Sequence, residues 1–202
     1  MIDKTKRKIA VDIVLLLPPD IEEFCVELNK ESDKTKYVSF ENGNKPHISL
    51  MIGCINKNDL EKIENELKNE ISNIGSLDIS IIELETVEFR DYFINNFSLS
   101  LTEKIKKLHG ICMDIITKYN GGKITIDMFD EKEKVDELTV DWVNKYHETC
   151  SGLNYRPHIT LGVNCSKNIP VLPINFKVEK VAIFQLGSYV TCKEKLAEFT
   201  LN

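Results

Sequence analysis

Two stretches of this chain have nearly the same five residues: Pro46-His47-Ile48-Ser49-Leu50 and Pro157-His158-Ile159-Thr160-Leu161. Each reads proline, histidine, an apolar residue, a hydroxyl residue and a second apolar residue, and we interpret each as part of a β-strand. Because side chains alternate between the two faces of a strand, the histidine and the hydroxyl of each copy project together, while the two apolar residues face a core. If the two strands face each other across a cleft, two imidazoles and two hydroxyls converge there.

This set of side chains suits in-line chemistry at a phosphodiester. One imidazole can take a proton and the other can give one, so His47 and His158 are the candidate catalytic residues. The hydroxyls of Ser49 and Thr160 can hold the phosphate oxygens while charge builds up in the transition state. A single histidine beside proline is more often a structural residue, and the hypothesis therefore depends on the pair. The sequence does not decide which histidine is the acid and which is the base.

The composition is that of an ordinary globular protein. Of 202 residues, 42% are hydrophobic and 29% are charged, which suits one large domain or two small lobes that share a cleft. The apolar run 9–17 is interrupted by Asp12 and lacks a small-residue cleavage site, so we interpret it as a buried strand and not as a signal peptide. No stretch approaches the ~20 apolar residues that span a bilayer. We therefore expect a cytoplasmic protein that does not bind membranes.

The charge of the chain limits its partners. A formal net charge of −6 argues against binding to long nucleic acids, because such binding needs many lysine and arginine contacts with phosphates. A nucleotide or the end of an RNA remains compatible with this charge. Lys45 and Arg156 precede the two motifs, and Tyr155 lies beside the second, so these three are possible substrate contacts. For Lys45 and Arg156 the alternative is that they are ordinary surface residues.

The cysteines and the two remaining histidines offer a second kind of site. The six cysteines are scattered without a Cys-x-x-Cys pair, which favours free thiols in a reducing compartment. His109-x-x-Cys112 and His147-x-x-Cys150 share one spacing, and these four side chains could hold zinc if their helices packed together. The simpler interpretation is that they are partly buried helix residues, and we expect no metal there.

The order of elements indicates a duplication. A strand, a helix and the histidine motif follow one another in each half, and the motifs are 158 − 47 = 111 positions apart. We expect Asp20 to cap the first helix, and Ser100 with Glu103 to form a capping box for the helix of the second half. The second half carries an insertion at about residues 123–150, whose acidic stretch 127–137 we expect to be solvated. Two strand-like runs, 176–186 and 196–201, end the chain.

These features predict an α+β fold with a duplicated, two-lobed architecture. The strands at 77–89 and 93–101 are too close in sequence for a crossover helix, which favours mainly antiparallel sheets flanked by helices. The lobes interleave along the chain, so we expect residues 1–202 to form a single bilobal domain with the active cleft between the lobes.

Two motifs of the form histidine, apolar, serine or threonine, apolar, one in each half of about 200 residues, resemble those of the two-histidine (2H) phosphoesterase superfamily. Its best-known members are the 2′-5′ RNA ligase and cyclic phosphodiesterase-like proteins. The resemblance covers most of the chain, apart from the stretch 123–150. The one departure within the motifs is Ser49, where threonine is common, and the hydroxyl is retained.

The resemblance implies metal-independent phosphodiester chemistry that needs no cofactor. Typical members open 2′,3′-cyclic phosphates, and others act on 2′-5′ linkages or RNA ends. It also implies that His47, Ser49, His158 and Thr160 form the site, and that the run 186–193 is the turn that closes the cleft. A 2′-5′ RNA ligase and a non-catalytic module that binds nucleotides or RNA ends remain the alternatives. We expect a monomer.

Overall fold

The computed structural model describes residues 7–32, 38–89, 92–130, 134–165, 169 and 171–201. This part of the chain contains eight strands and four α-helices. The strands are β1 (Lys8–Leu16), β2 (His47–Asn56), β3 (Leu77–Phe89), β4 (Tyr92–Leu99), β5 (His158–Val163), β6 (Ile174–Val178), β7 (Lys180–Leu186) and β8 (Cys192–Thr200). The helices are α1 (Pro19–Lys30), α2 (Leu60–Ile71), α3 (Glu103–Lys118) and α4 (Glu137–Thr149).

The strands form two four-stranded antiparallel sheets. One has the order β2-β1-β7-β8 and the other β5-β4-β3-β6. Each histidine motif opens an edge strand, β2 in the first sheet and β5 in the second. The prediction of a duplicated α+β fold with antiparallel sheets is therefore confirmed. No helix in the described ranges is long and apolar enough to cross a membrane.

The two halves exchange their helices. Helix α3 lies between β4 and β5 in the chain, yet it packs against β2 of the other sheet. Helix α1, which lies between β1 and β2, packs against β5. Each histidine strand is thus covered by the helix of the opposite half, and one continuous apolar core joins the two sheets.

Each motif contains a β-bulge at its final leucine. In the first sheet the register passes from Val14–Ser49 to Ile13–Met51, which leaves Leu50 without a partner residue. In the second sheet it passes from Asn96–Thr160 to Asn95–Gly162, which leaves out Leu161. A bulge bends a strand and re-aims its side chains, and here it occurs directly after each pair of site residues.

The carbonyl groups at the two bulges are bonded by buried side chains of the exchanged helices. Asn29 of α1 donates to the Leu161 oxygen at 2.6 Å, and Nδ1 of His109 in α3 bonds the Leu50 oxygen, also at 2.6 Å. Because a buried carbonyl without a partner costs free energy, these two contacts hold the bulges in place.

Several local predictions were wrong. Helix α1 begins after Pro18 without a side-chain cap, so Asp20 lies inside its first turn. Helix α3 is capped by Thr102, whose hydroxyl accepts from the amide of Ile105, and not by Ser100. The run 176–186 is two strands, β6 and β7, which belong to different sheets, because the chain crosses between the lobes at residue 179.

The insertion at 123–150 is less solvated than expected. Met128, Phe129 and Asp130 are buried, while residues 131–133 lie outside the described part. The amide of Asp130 donates to the Leu186 oxygen, and α4 packs against β2. The insertion therefore forms part of the wall around the first motif.

Candidate active site

A cavity of about 270 Å³ lies where the two histidine strands meet. His47 and Ser49 from β2 line it together with His158 and Thr160 from β5. The structure thus brings all four predicted site residues to one cavity. They reach it because each pair occupies alternate positions of its strand, on the face opposite to buried Ile48 and Ile159.

Both imidazoles are held in the same way. Nδ1 of His47 lies 2.7 Å from the carbonyl oxygen of Lys45, and Nδ1 of His158 lies 2.9 Å from that of Arg156. A carbonyl only accepts, so each neutral ring carries its proton on Nδ1 and keeps the lone pair on Nε2. Nε2 of each ring is therefore the nitrogen available for proton transfer.

The two rings differ in their surroundings. The side chain of His47 is 16% exposed, whereas His158 is exposed. Burial lowers the pKa of His47 to about 4, and the positive charge of a protonated His158 adds to this effect against the opposing bond to Lys45. His47 is consequently neutral at neutral pH, which is the state that a proton acceptor needs.

Asp12 lies directly beneath the first motif. It is fully buried in β1, its Oδ2 accepts a hydrogen bond from Ser49 Oγ at 2.6 Å, and the same oxygen lies 3.7 Å from Nε2 of His47. Burial raises the pKa of this carboxyl well above its usual value, against the lowering effect of the Ser49 bond. Asp12 therefore positions the Ser49 hydroxyl and lies next to the His47 ring.

The two hydroxyls are consequently unlike each other. The proton of Ser49 is engaged by Asp12 when that carboxyl is ionised, which leaves the lone pairs of Oγ toward the cavity. No group in the described ranges bonds the hydroxyl of Thr160, so it is the freer donor to a bound phosphate oxygen.

The remaining wall of the cavity is mostly apolar. It is formed by side chains from several elements, among them Phe40, Val87, Ile94, Leu138, Trp142 and Val190. Trp142 and Leu138 belong to α4, so the insertion contributes an aromatic face, and Trp142 also packs at a tilt against Tyr146. Such a surface suits a flat, weakly polar group such as a nucleobase.

The turn between β7 and β8 also reaches the cavity. Tyr189, Val190 and Thr191 line it. Tyr189 and Val190 have φ values of 54° and 62°, a region that β-branched residues such as valine rarely adopt. This strained turn lies in the run 186–193 that the family resemblance associated with the cleft.

The three possible substrate contacts occupy different environments. Lys45 lines the cavity, with its ammonium paired to Glu22. The guanidinium of Arg156 donates to the carbonyls of Leu153 and Tyr155. Tyr155 is buried and its hydroxyl donates to the Ser49 carbonyl at 2.9 Å, which favours a structural duty for its ring.

The alternative zinc set does not converge. His109 stacks on Tyr155 with ring centroids 3.9 Å apart, and both of its nitrogens are engaged, Nδ1 by Leu50 and Nε2 by the amide of Gly152. Among the described residues, His109, Cys112, His147 and Cys150 do not form a ligand cluster. All six cysteines are free thiols, as predicted.

Two residues of the site were missed at the level of sequence. Asp12 could have been found from the sequence, because a lone carboxylate in a strand that is apolar on both faces is rarely buried without a partner. No sequence pattern pointed to Cys192. Its Sγ lies 3.6 Å from Nε2 of His47 only because β8 returns beside β7 and its first residue reaches the end of the cleft.

The chain has the LigT-like fold. TT0787 of Thermus thermophilus superposes with a TM-score of 0.59 at 13% identity, covering 96% of this chain and 98% of that one. E. coli LigT complexed with 3′-AMP gives 0.57 at 11% identity, with 97% and 99% covered. A protein described as a phosphoesterase gives 0.53 at 13%, with 98% and 99% covered. No protein-family model and no curated sequence matches the chain.

Proposed function

We propose that this protein is a metal-independent phosphodiesterase of the two-histidine type, formed by residues 1–202 as one bilobal domain. Its substrates would be 2′,3′-cyclic phosphates or related 2′-5′ phosphodiester bonds of nucleotides or RNA ends. The observation that carries the proposal is the matched pair of imidazoles, each tied through Nδ1 to the carbonyl two residues before it and each lining one cavity. Two rings whose Nε2 atoms are not bonded to the backbone would supply both proton transfers of a phosphodiester cleavage.

The surroundings of the two rings support an assignment of their roles. His47 is the ring that burial keeps neutral, so it would take the proton of the attacking water. His158 is exposed and can exchange protons with bulk solvent, so it would give a proton to the departing sugar oxygen. Water adds to phosphorus as the bond to that oxygen breaks, and the proton gained by His47 balances the one lost by His158.

The rest of the cavity fits a nucleotide with a single reacting phosphate. Its walls are mostly apolar and aromatic, and Lys45, the one cation among the described lining residues, is already paired with Glu22. A cyclic phosphate carries one negative charge, which two imidazoles and the Thr160 hydroxyl can meet. E. coli LigT has been crystallised with 3′-AMP, ATP and NADP⁺, which supports a nucleotide as the ligand class.

The test is turnover in excess EDTA. Purified protein is incubated with the four nucleoside 2′,3′-cyclic phosphates, with 2′-5′-linked dinucleotides and with 3′,5′-cyclic AMP as a comparison. Phosphorus NMR of the products distinguishes 2′- from 3′-monophosphates. We expect ring opening of the 2′,3′-cyclic substrates, its loss in His47→Ala and in His158→Ala, and its retention in His147→Ala, a matched control because His147 is exposed and lies outside this cavity.

Other results would replace the proposal. Binding of nucleotides by calorimetry without turnover of any substrate would identify a binding module. Joining of RNA ends with 2′,3′-cyclic phosphate and 5′-hydroxyl termini, in the absence of hydrolysis, would identify a ligase. Loss of turnover in EDTA and its recovery on adding a divalent cation would contradict the metal-independent mechanism.

A further inference from the structure

Three side chains that could bind a metal ion meet at one end of the cavity. Asp12 of β1, His47 at the start of β2 and Cys192 at the start of β8 offer ligand atoms that all lie within 4.8 Å of one another. Nε2 of His47 is 3.7 Å from Asp12 Oδ2 and 3.6 Å from Cys192 Sγ. This is the one group of three or more such residues that the described part of the chain brings together.

The spacing matches that of a tetrahedral zinc ion. With zinc bonds of about 2.0–2.2 Å to nitrogen and oxygen and about 2.3 Å to sulfur, tetrahedral angles place the ligand atoms about 3.3–3.6 Å apart. The two separations from Nε2 of His47, 3.7 Å to Asp12 Oδ2 and 3.6 Å to Cys192 Sγ, lie within a few tenths of an ångström of this range. The third pair of ligand atoms, on Asp12 and Cys192, lies within 4.8 Å, so rotation of these side chains would close the site around an ion.

The tautomer and the neighbours of these residues also suit a metal. Nδ1 of His47 donates to the Lys45 carbonyl, which leaves the Nε2 lone pair for an ion, as in most histidine ligands. Ser49 donates to Oδ2 of Asp12 and so orients the carboxylate. The second oxygen, Oδ1, is buried without a hydrogen-bond partner among the described residues.

The charge of the three ligands suits a divalent cation. Asp12 and Cys192 are fully buried, and a buried carboxylate or thiolate is costly unless it is paired or coordinated, so both groups keep their protons until an ion binds and displaces them to solvent. The carboxylate and thiolate formed in this way, with a neutral imidazole, carry two negative charges, which a dication neutralises. The thiolate selects a borderline-soft ion such as Zn²⁺ over Mg²⁺ or Ca²⁺.

We propose that Asp12, His47 and Cys192 form a Zn²⁺ site, and that its occupation inhibits the enzyme. The ion enters from the cavity, since His47 lines it, and takes the lone pair of Nε2. That lone pair is the one with which His47 would accept the proton of water, so the ion and the reaction exclude each other. Binding of the ion is independent of the proposed function, whereas the inhibition rests on it.

The experiment uses the full chain and Co²⁺ as a spectroscopic probe. Titration of the metal-free protein should give a thiolate-to-cobalt charge-transfer band in the near ultraviolet and intense visible bands of four-coordinate Co²⁺. One equivalent of Zn²⁺ should abolish both. Cys192→Ala should lose the charge-transfer band, whereas Cys165→Ala, which removes a half-buried thiol elsewhere, and His147→Ala should keep it.

Turnover supplies the second readout. Zn²⁺ should inhibit the wild-type enzyme, and EDTA should reverse the inhibition. Measured against its own turnover in EDTA, Cys192→Ala should lose at least about tenfold in sensitivity to Zn²⁺, as for loss of a metal-supporting residue. Absence of the charge-transfer band in the wild type, or its persistence in Cys192→Ala, would overturn the site.

Failure of the proposed function gives a different pattern. If no substrate is turned over, the cobalt bands and zinc calorimetry still decide whether the site exists. If Zn²⁺ binds with the expected bands but increases turnover, the site stands and the inhibitory role is overturned.

Discussion

The two halves of the protein have the same backbone arrangement around the histidine motif, but different side chains surround the two histidines. In both, the motif opens an edge strand, bulges at its leucine, and is held by a buried side chain from the helix of the other half. The register makes Asp12 of the first half equivalent to Ile94 of the second, because each pairs with the fifth residue after its histidine. A repeated backbone can therefore place two equal imidazoles while one substitution beneath them makes their surroundings unequal.

That inequality is what acid–base chemistry needs. In the proposed mechanism the buried ring of His47 is the proton acceptor and the exposed ring of His158 is the donor, so their different surroundings serve different roles. Thr160 and Ser49 separate similarly, since the hydroxyl beside Asp12 is already engaged. The first half is thus the drier, more strongly constrained side of the cavity, and the second half is its solvent-facing side.

Removing either imidazole should change activity more than any other single substitution. His47→Ala and His158→Ala should each lower kcat by about 10²–10⁴-fold, because each ring performs one proton transfer in the proposed mechanism. Thermal unfolding, followed by circular dichroism, should change little for either variant. A large loss of stability in both, with turnover lost in proportion, would instead assign the histidines a structural role.

The next largest effects should come from removing the hydroxyls of Thr160 and Ser49, and the two variants should differ from each other. Thr160→Ala should lower kcat/KM by on the order of 10²-fold, as for loss of one donor to a developing oxyanion, with unchanged unfolding temperature. Ser49→Ala should also destabilise the fold, since it leaves Asp12 Oδ2 buried without its partner. Steady-state kinetics and urea unfolding of both variants check this. Equal stability of the two variants would contradict the role given to Asp12.

The buried anchors of the bulges should affect stability to a similar degree in the two halves. Asn29→Ala removes the partner of the Leu161 carbonyl, and His109→Ala removes that of Leu50, so each should cost about 1–3 kcal/mol of unfolding free energy. Urea unfolding measures this, with exposed Asn73→Ala as the matched control. A negligible change in either variant would show that the bulge does not depend on the exchanged helix.

Replacing His47 should also change how the stability of the protein depends on acid pH. The pKa of His47 is about 4 in the fold and about 6.5 in an unfolded chain, so between these values the unfolded state binds a proton that the folded state does not. The unfolding free energy should therefore fall as pH decreases from about 6.5 to 4, by at most about 1.4 kcal/mol per unit. His47→Gln should reduce this slope, and His147→Gln, at an exposed position, should leave it unchanged. Asp12, whose pKa is raised, acts in the opposite direction, so only the difference between variants isolates His47.

The periodic features of this protein follow from local sequence alone. The repeated motif established which residues project together, because alternation along a strand is a local property of the backbone. The short connection between the strands at 77–89 and 93–101 also predicted the antiparallel pairing of β3 with β4. The capping residues were assigned less well, since Ser100 and Thr102 carry equally suitable hydroxyls and only the direction of the chain entering α3 selects between them.

Features that depend on which distant segments become neighbours were set by tertiary packing. The exchange of α1 and α3, the division of the run 176–186 between two sheets, and the approach of Cys192 to His47 each result from long-range packing of apolar faces, which no local pattern encodes. The same holds for the inequality of the two histidines. Their motifs are alike, and only the burial of β1 against β2 and β7, with Asp12 beside His47, gives the two rings different surroundings.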